Sequence, residues 1–279
     1  MSARQIKNVS YDFRGQVVLV TGGARGQGRS HALAFAEAGA DIVIADIGAA
    51  IESVLYPLAT TEELNATAAE IEALHVRCLP AVCDVRDARQ VEALVDDALA
   101  HFGRIDVLIN NAGIESISSL VDMGEQQWDD VVDTCLRGAF LCSKYVVPNM
   151  IERRRGKIVS TGSTSSYVGV PRNAHYVAAK HGIMGLTKSL ALELAEYGIN
   201  VNAVCPGGMD TPMTAGMLAS RDAEWLTGLG ELTGIWNLFA PEAMLQPEEI
   251  SHAMLWLSSD AADFVTGTSI MVDAGFTIK

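Results

Sequence analysis

The feature that most constrains this chain is a glycine-rich turn between an apolar strand and a helical segment. Val17-Val18-Leu19-Val20 runs into Thr21-Gly22-Gly23-Ala24-Arg25-Gly26-Gln27-Gly28, and a helical pattern starts near Arg29. Such a turn lets a pyrophosphate reach main-chain N–H groups at a helix N-terminus, where a Cβ would block it. Gly22, Gly26 and Gly28 remove those atoms. A lone glycine triplet is a weak signal, but its seat between strand and helix is what the mechanism requires. Thr21, Gly22, Arg25, Gly26, Gln27 and Gly28 are therefore candidate dinucleotide contacts.

The rest of the chain keeps the rhythm this turn begins. Val17 to Val20, Asp41 to Ala45, Cys78 to Val85, Ile105 to Asn110, Lys157 to Ser160, Asn200 to Val204 and Ser269 to Val272 read as strands. Several are nearly continuous apolar runs, as strands buried on both faces should be. Ser30 to Ala38, Ala88 to His101, Gln126 to Glu152 and Ala174 to Tyr197 carry helical spacing between them. The expected fold is α/β: one doubly wound Rossmann domain over residues 1–279, a parallel sheet with helices on both faces. Two segments break the rhythm. Residues 48–61 are too long for an ordinary βα loop. Residues 207–246, rich in Met, Leu and Trp, read as a substrate lid or as extra packing helices.

Composition removes other classes. The 279 residues are 49% hydrophobic and 19% charged, which excludes a disordered chain. No apolar run approaches the roughly 20 residues that span a bilayer, so no membrane association is expected. Twenty basic against 34 acidic residues give a net charge of −14, which argues against nucleic acid as a partner. The first residues lack the apolar core of a secretory leader, and the five cysteines form no CxxC pair. A cytoplasmic protein with reduced thiols and no metal is expected.

Asp46 ends the second strand, 18 residues after Gly28. A carboxylate there accepts the ribose hydroxyls of an adenosine and repels a 2′-phosphate, and no base follows in Asp46-Ile47-Gly48-Ala49. NAD is favoured over NADP, although Arg25 is able to touch a phosphate. Tyr176 and Lys180 lie four residues apart, on one face of a helix. A cation beside a phenol lowers its pKa from about 10, so that it exchanges a proton with an alcohol or carbonyl oxygen. Ser163 lies 13 residues upstream, at the end of a strand, where open α/β sheets bind ligands.

TGGARGQG, Asn110-Asn111-Ala112-Gly113, Ser163, Tyr176-x-x-x-Lys180 and Pro206-Gly207 resemble, in order and spacing, the classical short-chain dehydrogenase/reductase family, over residues 14–279. The resemblance implies a seven-stranded sheet of order 3-2-1-4-5-6-7. It implies Tyr176 as general acid/base, Lys180 tuning it and holding the nicotinamide ribose, and Ser163 orienting the substrate oxygen. Asp84 and Val85 would flank the adenine, and Asn111, Ala112 and Gly113 would line the cleft. Pro206, Gly207, Met209 and Thr211 would hold the carboxamide end. A homotetramer built through helices like Gln126 to Glu152 is also implied. One departure stands out: Cys135, seven residues after Trp128, occupies a position where the family commonly has Asn. A thiol is a weak donor and acceptor, so the family's proton relay is in question there.

A narrower resemblance, carried by Tyr56-Pro57-Leu58-Ala59-Thr60-Thr61-Glu62-Glu63-Leu64 and Asp273-Ala274-Gly275-Phe276, is to the carveol dehydrogenase-like, mycofactocin-associated subgroup of actinobacterial enzymes. It implies tightly held, non-exchanging NAD, with 48–61 covering the adenosine end. Met213, Met217, Trp225 and Trp236 in the long loop suit an apolar ligand, alongside Ser163 and Tyr176. The expected activity is oxidation of a lipophilic secondary alcohol, terpenoid or steroid, or reduction of its ketone. An NADPH-linked ketoacyl-type reductase and a non-catalytic NAD-binding protein are the rival readings.

Overall fold

The computed structural model describes residues 9–219, 237–240 and 244–278. Seven strands form one sheet in the order β3-β2-β1-β4-β5-β6-β7. They are β1 Val17–Thr21, β2 Asp41–Asp46, β3 Cys78–Val82, β4 Val107–Asn110, β5 Gly156–Thr161, β6 Ile199–Pro206 and β7 Ser269–Val272. Every pairing is parallel. The helices are α1 Gly26–Glu37, α2 Thr61–Glu72, α3 Ala88–Phe102, α4 Glu125–Val132, α5 Gly138–Arg153, α6 Ala174–Leu194, α7 Pro212–Ala219 and α8 Pro247–Ser258.

Strand side chains alternate between two apolar cores. Val18, Val20, Ile42, Ile44 and Ile109 pack with Phe35 of α1, Leu64 and Ile71 of α2, and Ile250 and Met254 of α8. Val17, Leu19, Val43 and Leu108 pack with Leu94 of α3, Val146 of α5 and Leu194 of α6. Both faces are covered, which is why these strands are apolar almost throughout.

Two expectations are corrected. The first helix begins at Gly26 rather than near Arg29, so the second and third glycines of the turn are themselves helical. The segment read as one helix over 126–152 is two, joined by a π turn at Asp133–Arg137. There the Thr134 hydroxyl donates to the Asp130 carbonyl at 2.7 Å, competing with the α-helical ladder for that acceptor. The segment after β6 contains α7, in keeping with the packing-helix reading, and its Met217 is buried. All five cysteines are buried and free of disulfides.

Candidate active site

The order in which strands are added to the sheet reverses between β1 and β4, and the crevice outside their carboxyl ends is where such sheets bind ligands. The crevice is held open by short bonds. The Thr21 hydroxyl accepts the N–H groups of Asn111 and Ala112, both at 3.0 Å. Asn111 Nδ2 donates to the carbonyls of Thr21 (3.0 Å) and Gly22 (3.3 Å). A Cβ on Gly28 would overlap the Gly22 carbonyl, and one on Gly22 would lie 2.9 Å from the Ala112 backbone. Gly22 and Gly26 also have positive φ, 65° and 56°.

The resulting cleft, about 870 Å³ with the space open to solvent, is lined by Gly22, Arg25, Gly26, Gln27 and Gly28. Asp46, Ile47, Asp84, Val85, Asn111, Ala112, Gly113 and Thr211, also expected contacts, line its walls. Thr21 lines neither this cleft nor the next; its hydroxyl pins the crevice instead. Asp46 Oδ2 accepts the Ala24 N–H at 3.0 Å and Oδ1 the Ile47 N–H at 2.9 Å. Burial nonetheless raises its carboxyl above the usual carboxylate value. The Arg25 guanidinium donates to the Pro57 carbonyl and lies 3.9 Å from Glu63. The cleft thus combines a bare-backbone cradle for a pyrophosphate with a carboxylate at the adenosine end. These residues fit a dinucleotide without a 2′-phosphate.

Residues 48–61 reach across this cleft. Ile51, Tyr56, Leu58 and Ala59 line it, none of which was singled out as a contact from sequence. Ser53 donates to buried Asp130 at 2.7 Å, and the Tyr56 hydroxyl accepts the Glu115 N–H at 3.1 Å. Tyr56 packs in one apolar cluster with Ile114, Cys135 and Met217, against which Tyr176 and Met213 also lie.

An adjoining cavity, about 1430 Å³ with open space, brings together Ser163, Tyr176 and Lys180 with Pro206, Gly207, Met209, Thr211, Met213 and Met217. Trp225 and Trp236 lie outside the described residues. β5 delivers Ser163, whose Oγ accepts the Ser165 N–H at 3.1 Å. The third residue of α6 is Tyr176, which lines the same cavity as Ser163. Lys180 follows one turn later, buried, with Nζ 5.4 Å from the Tyr176 ring centroid. It donates to the Thr161 carbonyl at 2.7 Å.

Burial pushes Tyr176 well above its ordinary value, with Glu115 and Cys135 adding to the rise, while the Ser163 hydrogen bond pulls it down. The ammonium is engaged with the Thr161 carbonyl rather than with the phenol oxygen. Cys135 is buried on the π turn and its Sγ donates to the Ile114 carbonyl at 3.4 Å. Sequence reasoning also passed over Glu115 and Asn173, which line the same cavity. Their nearness to Gly113 and Tyr176 in the chain was the available signal. Among the described residues no group of His, Cys, Asp and Glu is arranged to hold a metal, and no helix is long and apolar enough to cross a membrane.

A family model described as enoyl-(acyl carrier protein) reductase matches residues 22–277. The chain belongs to the short-chain dehydrogenase/reductase family of oxidoreductases. It is 39% identical over 272 residues to (-)-trans-carveol dehydrogenase of Rhodococcus erythropolis, covering 95% of this chain and 98% of that one. It is 38% identical to a 3-oxoacyl-acyl-carrier-protein reductase of Thermotoga maritima, covering 95% and 99%. The crystal structure of carveol dehydrogenase from Mycobacterium avium in complex with NAD matches with a TM-score of 0.88 at 35% identity, covering 97% of this chain and 100% of the other.

Proposed function

We propose that this protein is an NAD-dependent dehydrogenase that interconverts a lipophilic secondary alcohol and its ketone. The observation that carries the reading is one cavity lined by Ser163, Tyr176 and Lys180, sharing Asn111, Gly113 and Thr211 with the glycine-lined cleft. NAD-complexed carveol dehydrogenase among the structural relatives supports the cofactor. So does the cleft itself, where Asp46 and Glu63 oppose a 2′-phosphate and Arg25 is engaged by the Pro57 carbonyl.

In this reading Tyr176 holds or moves the proton at the substrate oxygen, and Ser163 donates a hydrogen bond that orients that oxygen. Lys180 brings a buried positive charge one helical turn away, which favours the ionised phenol. Asp46 and Ile47 hold the adenosine ribose, Asp84 and Val85 flank the adenine, and Met209 and Thr211 hold the carboxamide end. Bound NAD supplies the hydride acceptor, and its reduced form the donor. Met213 and Met217 offer adaptable apolar contact to the substrate.

Residues 48–61 form a strap tied to α4 by Ser53 and to the Glu115 N–H by Tyr56. Such a strap slows nucleotide release, in keeping with the mycofactocin-associated habit of non-exchanging NAD. The half-exposed Trp128 and Phe140 on α4 and α5 suit assembly into a homotetramer, in the cytoplasm.

The 38% identical 3-oxoacyl-acyl-carrier-protein reductases favour a second reading, an NADPH-linked ketoacyl reductase. One experiment separates the two. The purified protein is denatured, its released nucleotide identified by mass, and the native protein mixed with carveol. NAD at close to one per chain, reduced on addition of the alcohol, is the expected result. NADP-dependent reduction of a 3-oxoacyl thioester, without alcohol oxidation, would overturn the proposal.

A further inference from the structure

The first N–H groups of an α-helix have no partner within it, and the residue before the helix commonly supplies one from its side chain. Before α6 that residue is Asn173, which makes no such bond; its amide donates to Glu115 instead. The N–H of Tyr176 goes to the neighbouring imidazole, His175 Nδ1, at 2.9 Å. A ring nitrogen that accepts carries no proton, so in the uncharged imidazole the hydrogen sits on Nε2. Nε2 lies 2.8 Å from Ser116 Oγ, and Gln127 Nε2 of α4 donates to the same oxygen at 2.9 Å. His175 is wholly buried, and burial lowers its pKa while the Asn173 main chain opposes the shift, so the ring stays uncharged at neutral pH. Gln127, Ser116 and His175 thus tie α4 and the segment after β4 to the first turn of α6. That segment also carries Asn111, Ala112 and Gly113, which line the dinucleotide cleft. His175 itself lines neither the cleft nor the cavity.

We propose that His175 is a positioning residue for Tyr176: held as the Nε2–H tautomer between Ser116 and the Tyr176 N–H, it fixes where α6 presents the phenol to the cofactor cleft. A reacting group displaced by about 1 Å slows the chemical step by up to about a hundredfold. Loss of the contact therefore shows in kcat rather than in KM or NAD content. This inference rests on the alcohol dehydrogenase reading above.

Two measurements need no turnover. Nitrogen NMR of the His175 ring, assigned by its absence from His175→Asn, should show a protonated Nε2 and a bare Nδ1; a proton on Nδ1 overturns the proposal. In protein labelled with fluorotyrosine, the fluorine signal of Tyr176 is identified by its loss in Tyr176→Phe. That signal should shift or broaden in Ser116→Ala, a small change outside both cavities, and an unmoved signal there overturns the proposal even if His175→Phe does not fold. Turnover of carveol supplies the third test. His175→Phe should lower kcat by about tenfold to a hundredfold, with KM and bound NAD within about twofold of the parent. Asn places an acceptor oxygen near the position of Nδ1, so His175→Asn should regain about threefold or more of the loss. Ser116 and His175 act through one chain, so the double variant Ser116→Ala/His175→Phe should be no slower than His175→Phe alone. Additive losses, a fall in NAD content matching the fall in kcat, or no recovery in His175→Asn overturn the positioning role. If both spectra come out as expected while the parent turns over no alcohol, the contact stands and the dehydrogenase reading fails.

Discussion

The Tyr56 ring packs on the bare α-carbon of Gly216: a Cβ there would lie 2.7 Å from Tyr56 Cγ. One residue belongs to the strap over the dinucleotide cleft and the other to α7, beside the substrate cavity. The contact joins the two regions that break the strand–helix rhythm of the sequence. It predicts an effect that runs against helix propensity. Gly to Ala in a helix stabilises by about 1 kcal/mol where nothing intervenes. In Gly216→Ala the added methyl has to displace Tyr56, loosening the strap. The fraction of NAD retained through long dialysis should fall at least severalfold against the parent; equal retention would show that this contact does not hold the strap closed.

The second prediction concerns cofactor choice. Asp46 is half-buried at the adenosine end and accepts two main-chain N–H groups. Replacing it by Ser and Ile47 by Arg removes the repulsion of a 2′-phosphate and supplies a cation. Hydrogen bonds to charged groups contribute about 1.5–3 kcal/mol. The NAD-to-NADP affinity ratio should therefore fall by about tenfold to a hundredfold, read by calorimetry on nucleotide-stripped protein.

Cys135→Asn is expected to keep activity within about tenfold of the parent. Burial raises the Cys135 thiol, so it is protonated rather than a reactive thiolate, and its one hydrogen bond is to the Ile114 carbonyl. An Asn amide can supply the same donor. Complete loss of turnover, with the fold intact by circular dichroism, would give the thiol a function of its own.

The sheet, its strand positions and the grouping of Ser163, Tyr176 and Lys180 were legible because they rest on local pattern: continuous apolar strands, a glycine turn, an i, i+4 pair. What escaped depends on contacts distant in sequence. Tyr56 lines the dinucleotide cleft because Gly216 and the Glu115 N–H receive it, and nothing in residues 48–61 alone reveals that. The π turn at 133–137 interrupts an uninterrupted helical pattern because the Thr134 hydroxyl takes the Asp130 carbonyl. The surroundings of the phenol are decided in the same way. The i, i+4 spacing correctly places Lys180 near Tyr176, but burial and the Thr161 carbonyl, contributed by β5, decide what the ammonium does.

Stability should decline below neutral pH through His31. It is fully buried against Ser251 Oγ at 2.7 Å, and burial lowers its pKa from 6.5 to about 3. The unfolded chain takes up the proton below 6.5 while the folded chain stays neutral until about 3, so acid favours unfolding across that window. The loss is about 1.4 kcal/mol per pH unit once below the unfolded value, hence about 2 kcal/mol from this residue between pH 7 and pH 5. Urea unfolding of the parent and of His31→Gln at the two pH values checks it: the variant should lack this increment.

Proton exchange at the Tyr176 hydroxyl is the claim on which the rest depends, and Tyr176→Phe tests it most directly. The substitution removes one oxygen from a cavity wall and leaves the ring. With NAD loaded and carveol added, the rate of nicotinamide reduction should fall by about a hundredfold to ten-thousandfold, while NAD content stays at the parent level. A rate within threefold of the parent would contradict the account.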